Sequence, residues 1–290
     1  MTVPGQIAQA FPKRPLDAHK YSAGVVAVLG GSDRFSHAPV IAGLGARSGG
    51  AGLVQLIVPD ASRAAAGALL PEATFSLSER ELVPPRTDVM AVGMGMGVSQ
   101  DSERLVSELV LENAGRFVVD ADALTILAAI RGRDPQVVAT GDRVLVLTPH
   151  VGEAARLLSV TSEDVQGNRE EAVRGIADRY HAVTVLKGRH TLVAAPGGED
   201  LFRCEAGNPF MAMGGMGDLL SGILAARWAY LAKQKPELPP VKMACLAACA
   251  AVWLHAKASD IIVQADPPGD PSIVNTARMV SSLRVQLERG

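Results

Sequence analysis

Gly207-Asn208-Pro209-Phe210-Met211-Ala212-Met213-Gly214-Gly215-Met216-Gly217-Asp218-Leu219-Leu220-Ser221-Gly222-Ile223 is a glycine-crowded turn, closed by an aspartate and followed at once by an apolar helix. After Asp218 the apolar positions Leu219, Leu220, Ile223, Leu224 and Trp228 fall at helical spacing. Such a turn points several backbone N–H groups at one spot, where the helix dipole favours negative charge. An aspartate beside a pocket built for phosphate is repelled by its occupant unless it has another task. Taking the proton from an attacking hydroxyl is such a task. Capping is the ordinary role of an aspartate at a helix start, but capping gives the surrounding glycines no purpose. The stretch reads as a phosphoryl-transfer site with Asp218 as its base.

Outward from this stretch the chain repeats strand, glycine-containing turn, helix. Val25–Leu29 is an apolar run ending in Gly30-Gly31-Ser32, and a helix rich in Ala, Gly and Leu follows from Pro39 to Ser48. Further strands are read at Leu53–Val58, Asp88–Val92, Arg116–Val119, Arg143–Leu147 and Val183–Leu186, with Thr191–Ala195 pairing beside the last. Near-continuous apolar strands alternating with helices predict an α/β fold: a mostly parallel sheet with helices on both faces. Ligands bind such sheets at the carboxyl ends of the strands, where every unusual polar or glycine-rich cluster of this chain falls. No linker or repeat divides the sequence. The expectation is a leading arm over residues 1–20 and one domain over 21–290, with Pro84-Pro85 and Asp266–Pro271 as surface loops.

The 290 residues suffice to bury a core without disulfides or metals. With 28 basic and 30 acidic side chains spread along the chain, there is no basic field to attract nucleic acid. Cys204, Cys245 and Cys249 lack metal-ligand spacing, which fits a reducing, cytoplasmic setting. The opening residues have no apolar signal core, and Met243–Ala256 reads as a buried helix too short to span a bilayer.

Four clusters remain. Lys187-Gly188-Arg189-His190-Thr191 joins two strands; it suits nucleotide phosphates or an ordinary hairpin turn equally, and it lacks P-loop spacing. Thr148-Pro149-His150-Val151-Gly152-Glu153 opens a helix, with Thr148 expected as N-cap and His150 at the rim of the sheet. Asp120 and Asp122 either hold Mg²⁺ or cap the helix that follows; the residues leave both open. Gly93-Met94-Gly95-Met96-Gly97 and Gly43-Leu44-Gly45-Ala46-Arg47-Ser48 both fail the dinucleotide fingerprint at its sixth position.

Taken in order, these clusters resemble the ADP/ATP-dependent NAD(P)H-hydrate dehydratases of the ribokinase-like superfamily, in the stand-alone form without an epimerase domain. The resemblance covers nearly the whole chain. It runs from His19-Lys20 and Gly30-Gly31-Ser32 through Arg47–Val54, Val119–Leu124, Thr148-Pro149-His150 with Glu153, and Lys187-Gly188 with Thr191. It ends on the Gly207–Ile223 signature and Ala251–His255.

The resemblance implies a ribokinase-like three-layer αβα fold and repair of hydrated NADH or NADPH, S epimer only. ADP or ATP with Mg²⁺ phosphorylates the ring hydroxyl, and loss of phosphate restores the reduced ring. Asp218 would be the base, and the amides of Gly215, Met216 and Gly217 the anion pocket. Substrate would contact Ala38, the Gly95–Gly97 turn, His150 and Asp218. The nucleotide would lie along Lys187, Gly188, Arg189, His190, Thr191 and Gly217. Asp120, Asp122 and Glu153 are the candidates for metal. Relatives of this kind form homotetramers and do not act at membranes or on nucleic acid.

Met94 stands where the family commonly has Pro, His37 where it has Gly, and Met213 and Met216 where it has Thr or Ser; Met216 keeps its amide but offers phosphate no hydroxyl. Two other functions share parts of this pattern: a ribokinase-like kinase of a small alcohol such as hydroxyethylthiazole or hydroxymethylpyrimidine, and a catalytically silent nucleotide-binding sensor. The Thr148-Pro149-His150 and Asp120–Leu124 segments argue against the first. The intact Asp218 and Lys187 argue against the second.

Overall fold

Alternation decides which way each strand side chain faces. Val26 and Val28 join one apolar cluster, while Ala27 and Leu29 join another on the opposite face, as the two-residue period of an extended chain requires. The computed structural model describes residues 3–76, 83–134 and 142–289, so the first two residues of the expected arm and Gly290 lie outside it. In chain order the elements begin with β1 (Val25–Leu29), α1 (Ala38–Gly49), β2 (Leu53–Ile57), α2 (Asp60–Leu69), β3 (Thr74–Phe75), β4 (Val89–Val92) and α3 (Gln100–Val106). They continue with β5 (Gly115–Val119), α4 (Ala121–Arg133), β6 (Arg143–Leu147), α5 (Val151–Leu158), α6 (Ser162–Gly167) and α7 (Arg169–Tyr180). The last are β7 (Val183–Leu186), β8 (Leu192–Ala194), β9 (Leu201–Arg203), α8 (Met216–Gln234), α9 (Pro240–Val263) and α10 (Ile273–Arg289).

The described strands form one nine-stranded sheet in the order β3-β2-β1-β4-β5-β6-β7-β8-β9. Pairing is parallel from β3 to β7, and β8 and β9 close one edge antiparallel. Helices α1, α8, α9 and α10 cover one face and α3 to α7 the other, giving the expected three layers. The chain leaves β1 for one face and β4 for the other. That divergence makes a switch point, where open α/β sheets form a ligand crevice.

Two expectations change. The arm carries a short 3₁₀ helix over Gly5–Ala10, and Ile7, Ala10 and Phe11 are buried, with Phe11 edge-on to Trp253 at 6.2 Å. The apolar run read as Met243–Ala256 extends to the 24 residues of α9, which by length and composition could cross a bilayer. In the fold 83% of its most apolar window is buried within this chain, against α8, α10 and the sheet.

The Gly43-x-Gly45 segment proves to be a packing surface. α1 and α8 run side by side in near backbone contact: a Cβ on Gly222 would sit 1.8 Å from the Ala42 carbonyl oxygen, and one on Gly45 2.2 Å from that of Leu219. Below them the buried Arg227 donates to the carbonyls of Gly49 and Ala10 and pairs with Glu288. Glu288 also accepts from Arg14 and Arg284, so one carboxylate neutralises cations from the arm, α8 and α10.

Gly222→Ala is expected to cost about 1–3 kcal/mol or more by overpacking, read as a lowered denaturation midpoint. Glu288→Ala strands Arg227 and Arg284 without their counter-charge and is expected to cost about 3–5 kcal/mol in the same measurement.

Candidate active site

Helix α8 starts on Gly215, whose φ of 91° is left-handed backbone that a side chain would strain, and no side chain caps it. The first-turn amides of Met216, Gly217 and Asp218 therefore have no intrahelical acceptor. The turn that delivers them is pinned from α9: Gly207 N–H donates to Asp260 Oδ2 at 2.9 Å, and Asn208 Nδ2 to Ser259 Oγ and Asp260 Oδ1 at 3.0 and 2.9 Å.

Opposite this turn, the end of β7 sends Lys187 inward. Its ammonium donates to Asp120 Oδ1 at 2.7 Å, stands 3.8 Å from Glu153 Oε2, and lies 3.3 Å from where a Gly217 Cβ would be. Asp120 at the end of β5 is 1% exposed; it caps α4 through Ala121 N–H at 2.8 Å and accepts from Ser221 Oγ of α8 at 2.7 Å. Lys187 turns inward, and the rest of the turn is held by contacts of its own. His190 Nδ1 pairs with Glu205 at 2.9 Å, Thr191 Oγ1 donates to the Gly188 carbonyl at 3.0 Å, and the Arg189 carbonyl accepts from Arg169.

The third wall corrects the helix start read at Thr148. The helix begins at Val151, and His150 is its N-cap: Nδ1 accepts from the amides of Gly152 and Glu153, while Glu153 Oε2 accepts the His150 N–H at 2.8 Å. This is a capping box with imidazole in place of a hydroxyl. An accepting Nδ1 assigns the neutral ring's proton to Nε2, which lies 3.4 Å from Glu153 Oε1.

At the switch point, Gly93, Gly95 and Gly97 all adopt positive φ. A Cβ on Gly95 would come within 2.6 Å of Phe35 and 3.1 Å of Ala38, so Ala38 and this turn adjoin as expected. Asp122 Oδ2 accepts the Gly97 N–H at 2.8 Å. Met94 is fully buried, and its carbonyl accepts from Gly31 at 2.9 Å.

The charges sort themselves. Burial alone would raise Asp120, but the Lys187 charge and hydrogen bonds from Lys187, Ser221 and Ala121 outweigh it and hold the carboxyl low. Burial would lower Lys187, but Asp120 and Glu153 keep it charged. Asp218 is pushed up to about 7, by burial first and then by the Asp120 charge. Glu153 also rises to about 7 through burial. Partial desolvation and the Lys187 charge lower His150, so it is neutral. Asp120 is thus the permanent anion, and Asp218 and Glu153 are the carboxyls poised to exchange a proton near neutrality.

The metal candidates do not come together. No group of three or more His, Cys, Asp or Glu side chains suited to a metal occurs among the described residues. Both Asp120 oxygens are taken by protein donors and one Asp122 oxygen by Gly97. Sequence reading gave no role to Ser221, Asn208 or Asp260; only the position of Ser221 three residues after Asp218, on the same helix face, hinted at its place in the site.

The fold is ribokinase-like: a ribokinase-like superfamily protein of Enterococcus faecalis shares it at a TM-score of 0.80 and 22% identity, over 98% of this chain and 95% of that one. A family model described as NAD(P)H-hydrate dehydratase matches residues 26–273. The ADP-dependent (S)-NAD(P)H-hydrate dehydratase of Neisseria meningitidis serogroup B is 37% identical over 258 residues, 87% of this chain and 81% of the relative. A bifunctional NAD(P)H-hydrate repair enzyme from Gloeobacter violaceus is 35% identical over 255 residues, 85% of this chain and 47% of the relative, so the chain spans about half of that protein. The ADP/ATP-dependent NAD(P)H-hydrate dehydratase of Bacillus subtilis, co-crystallised with ATP and Mg²⁺, shares the fold at a TM-score of 0.80 and 24% identity, over 97% of this chain and 96% of that one. The chain belongs to the NAD(P)H-hydrate dehydratase family.

Asp218 and Glu153 hold their protons more tightly folded than unfolded, so the stability they contribute is complete below about pH 4 and is lost as pH rises through about 7. Asp218→Asn removes one of the two ionisations. In thermal melts it is expected to be more stable than wild type at pH 8, by roughly 2–4 °C per kcal/mol of relieved charge burial, with the difference gone at pH 4.

Proposed function

We propose that the protein is a nucleotide-dependent dehydratase of the S epimer of hydrated NADH or NADPH. The observation that carries this reading is Asp218 itself, a carboxyl poised at about 7 on the first turn of a glycine-started helix, facing a charged lysine. A base with that value is matched to neutral pH. Asp218 accepts the proton of the ring hydroxyl while the terminal phosphoryl group of ADP or ATP moves from the nucleotide to that oxygen. The amides of Met216 and Gly217 and the Lys187 ammonium hold the phosphate charge as it moves. The C–O bond then breaks, phosphate leaves with the bonding electrons, and a neighbouring ring carbon gives up a proton to restore the double bond. Placement and charge supply most of the rate in such transfers.

In this reading Ala38, Gly95 and Gly97 form the substrate side of the crevice, with His150 at its rim as a neutral donor from Nε2. Gly215 shapes the anion pocket, and Gly188, Arg189, His190 and Thr191 flank the nucleotide. The described residues provide no ready cage for Mg²⁺, so the ion that accompanies the nucleotide would be held by phosphate oxygens and water. The reading also takes residues 21–290 as one catalytic unit, in a cytoplasmic homotetramer.

The test is recovery of reduced-nicotinamide absorbance when the protein and Mg²⁺ meet hydrated NADH, with ADP or ATP added separately. Recovery with a nucleotide and none without it is expected. Absence of recovery with either, from folded protein that binds nucleotide, overturns the reading and favours a small-alcohol kinase. Asp218→Asn is expected to lower kcat by roughly 10²–10⁴-fold while nucleotide still binds. Because the base must be ionised, wild-type kcat/KM is expected to fall as pH drops below about 7.

A further inference from the structure

Within the proposed dehydratase site, one buried side chain lies outside the roles given so far. Ser221 is fully buried on α8, one turn beyond Gly217 and on the same face as Asp218. Its hydroxyl donates to Asp120 Oδ2 at 2.7 Å, the oxygen that lies 3.9 Å from where a Gly217 Cβ would be. The other oxygen, Oδ1, accepts from Lys187 Nζ at 2.7 Å. One carboxylate therefore spans two elements that are far apart in sequence: the first turn of α8 and the end of β7.

We propose that Ser221 is a positioning residue for phosphoryl transfer: through Asp120 it fixes the distance between the Lys187 ammonium and the unpaired amides of the α8 first turn. The inference rests on the dehydratase reading above. Two halves of an anion pocket that come from separate elements need a rigid connection, because a phosphate can reach both only at one separation. No other side-chain hydrogen bond among the described residues joins α8 to Asp120 or Lys187. The Ser221 hydroxyl is also a better spacer than a charged group would be. It adds no charge to a cluster in which Asp120, Glu153 and Asp218 already act on a single lysine. Without the hydroxyl, Asp120 keeps Lys187, but nothing ties the pair to the helix.

The experiment compares wild type with Ser221→Ala and Ser221→Cys in the absorbance assay, varying nucleotide and hydrated NADH separately. Cysteine fills the space of serine and a little more but is a weak donor, so it separates packing from hydrogen bonding. Both variants are expected to lose about 10–100-fold in kcat, the range a hydrogen bond to a charged group is worth. The KM for hydrated NADH stays within about twofold, because that side of the crevice is untouched. Asp120→Asn is expected to lower kcat as well, and adding Ser221→Ala to it should cost little more, since both changes break one linkage. Cysteine behaving as wild type while alanine loses activity would reduce Ser221 to a packing residue and overturn the proposal. So would full additivity of Ser221→Ala with Asp120→Asn. A wild type with no turnover at all fails the dehydratase reading instead, which keeps the two failures apart.

Discussion

The approach of α1 and α8 sets the geometry of everything around the site. Only hydrogen fits where Gly222 faces the Ala42 carbonyl and Gly45 that of Leu219. The helices run parallel, with Ile41 beside Gly215 at one end and Gly49 beside Ala226 at the other. Both therefore present their N-termini on the same side. α1 brings Ala38 to the switch point next to Gly95, and α8 brings its unpaired amides and Asp218. A wider crossing would separate the unpaired amides of α8 from the crevice at the switch point. Gly45 and Gly49 of α1 are thus conditions of the site's geometry.

Charge is the second constraint. Three carboxyls, Asp120, Glu153 and Asp218, act on one half-buried lysine, and a low-dielectric setting cannot keep them all ionised. The Lys187 charge, and hydrogen bonds after it, decide which carries the permanent charge. Asp120 has three donors and stays anionic, whereas Asp218 has burial and like charges around it and moves up to about 7. Two aspartates of one chain thereby acquire different duties from their surroundings alone. In the same arrangement both Asp120 oxygens and one Asp122 oxygen already accept from protein donors.

Much of this was legible in the residues. Every strand read from an apolar run is present, with ends moved by a residue or two, because buried parallel strands are continuous in Val, Leu and Ile. The two- and three-residue strands β3 and β9 were not legible, since pairs such as Thr74-Phe75 become strands only when a formed edge offers hydrogen bonds. The start of α5 was misread because Thr-Pro is the usual opening of a helix, and an imidazole nitrogen able to cap it has no mark in the sequence. Gly43-x-Gly45 resembled half of a nucleotide motif; its purpose appears only with α8 laid against it.

Local order of residues accounts for the alternation of strand and helix, the glycine turn ahead of α8 and the presence of Asp218 upon it, because backbone preference and side-chain period act between near neighbours. It also carries the family. The pairing of Lys187 with Asp120, the rise of Asp218 to about 7 and the closure of Arg227 on Glu288 belong to the folded chain. Lys187 stands 67 positions from Asp120, and Arg227 61 from Glu288. Burial and charge act through distance in space, which the sequence does not record.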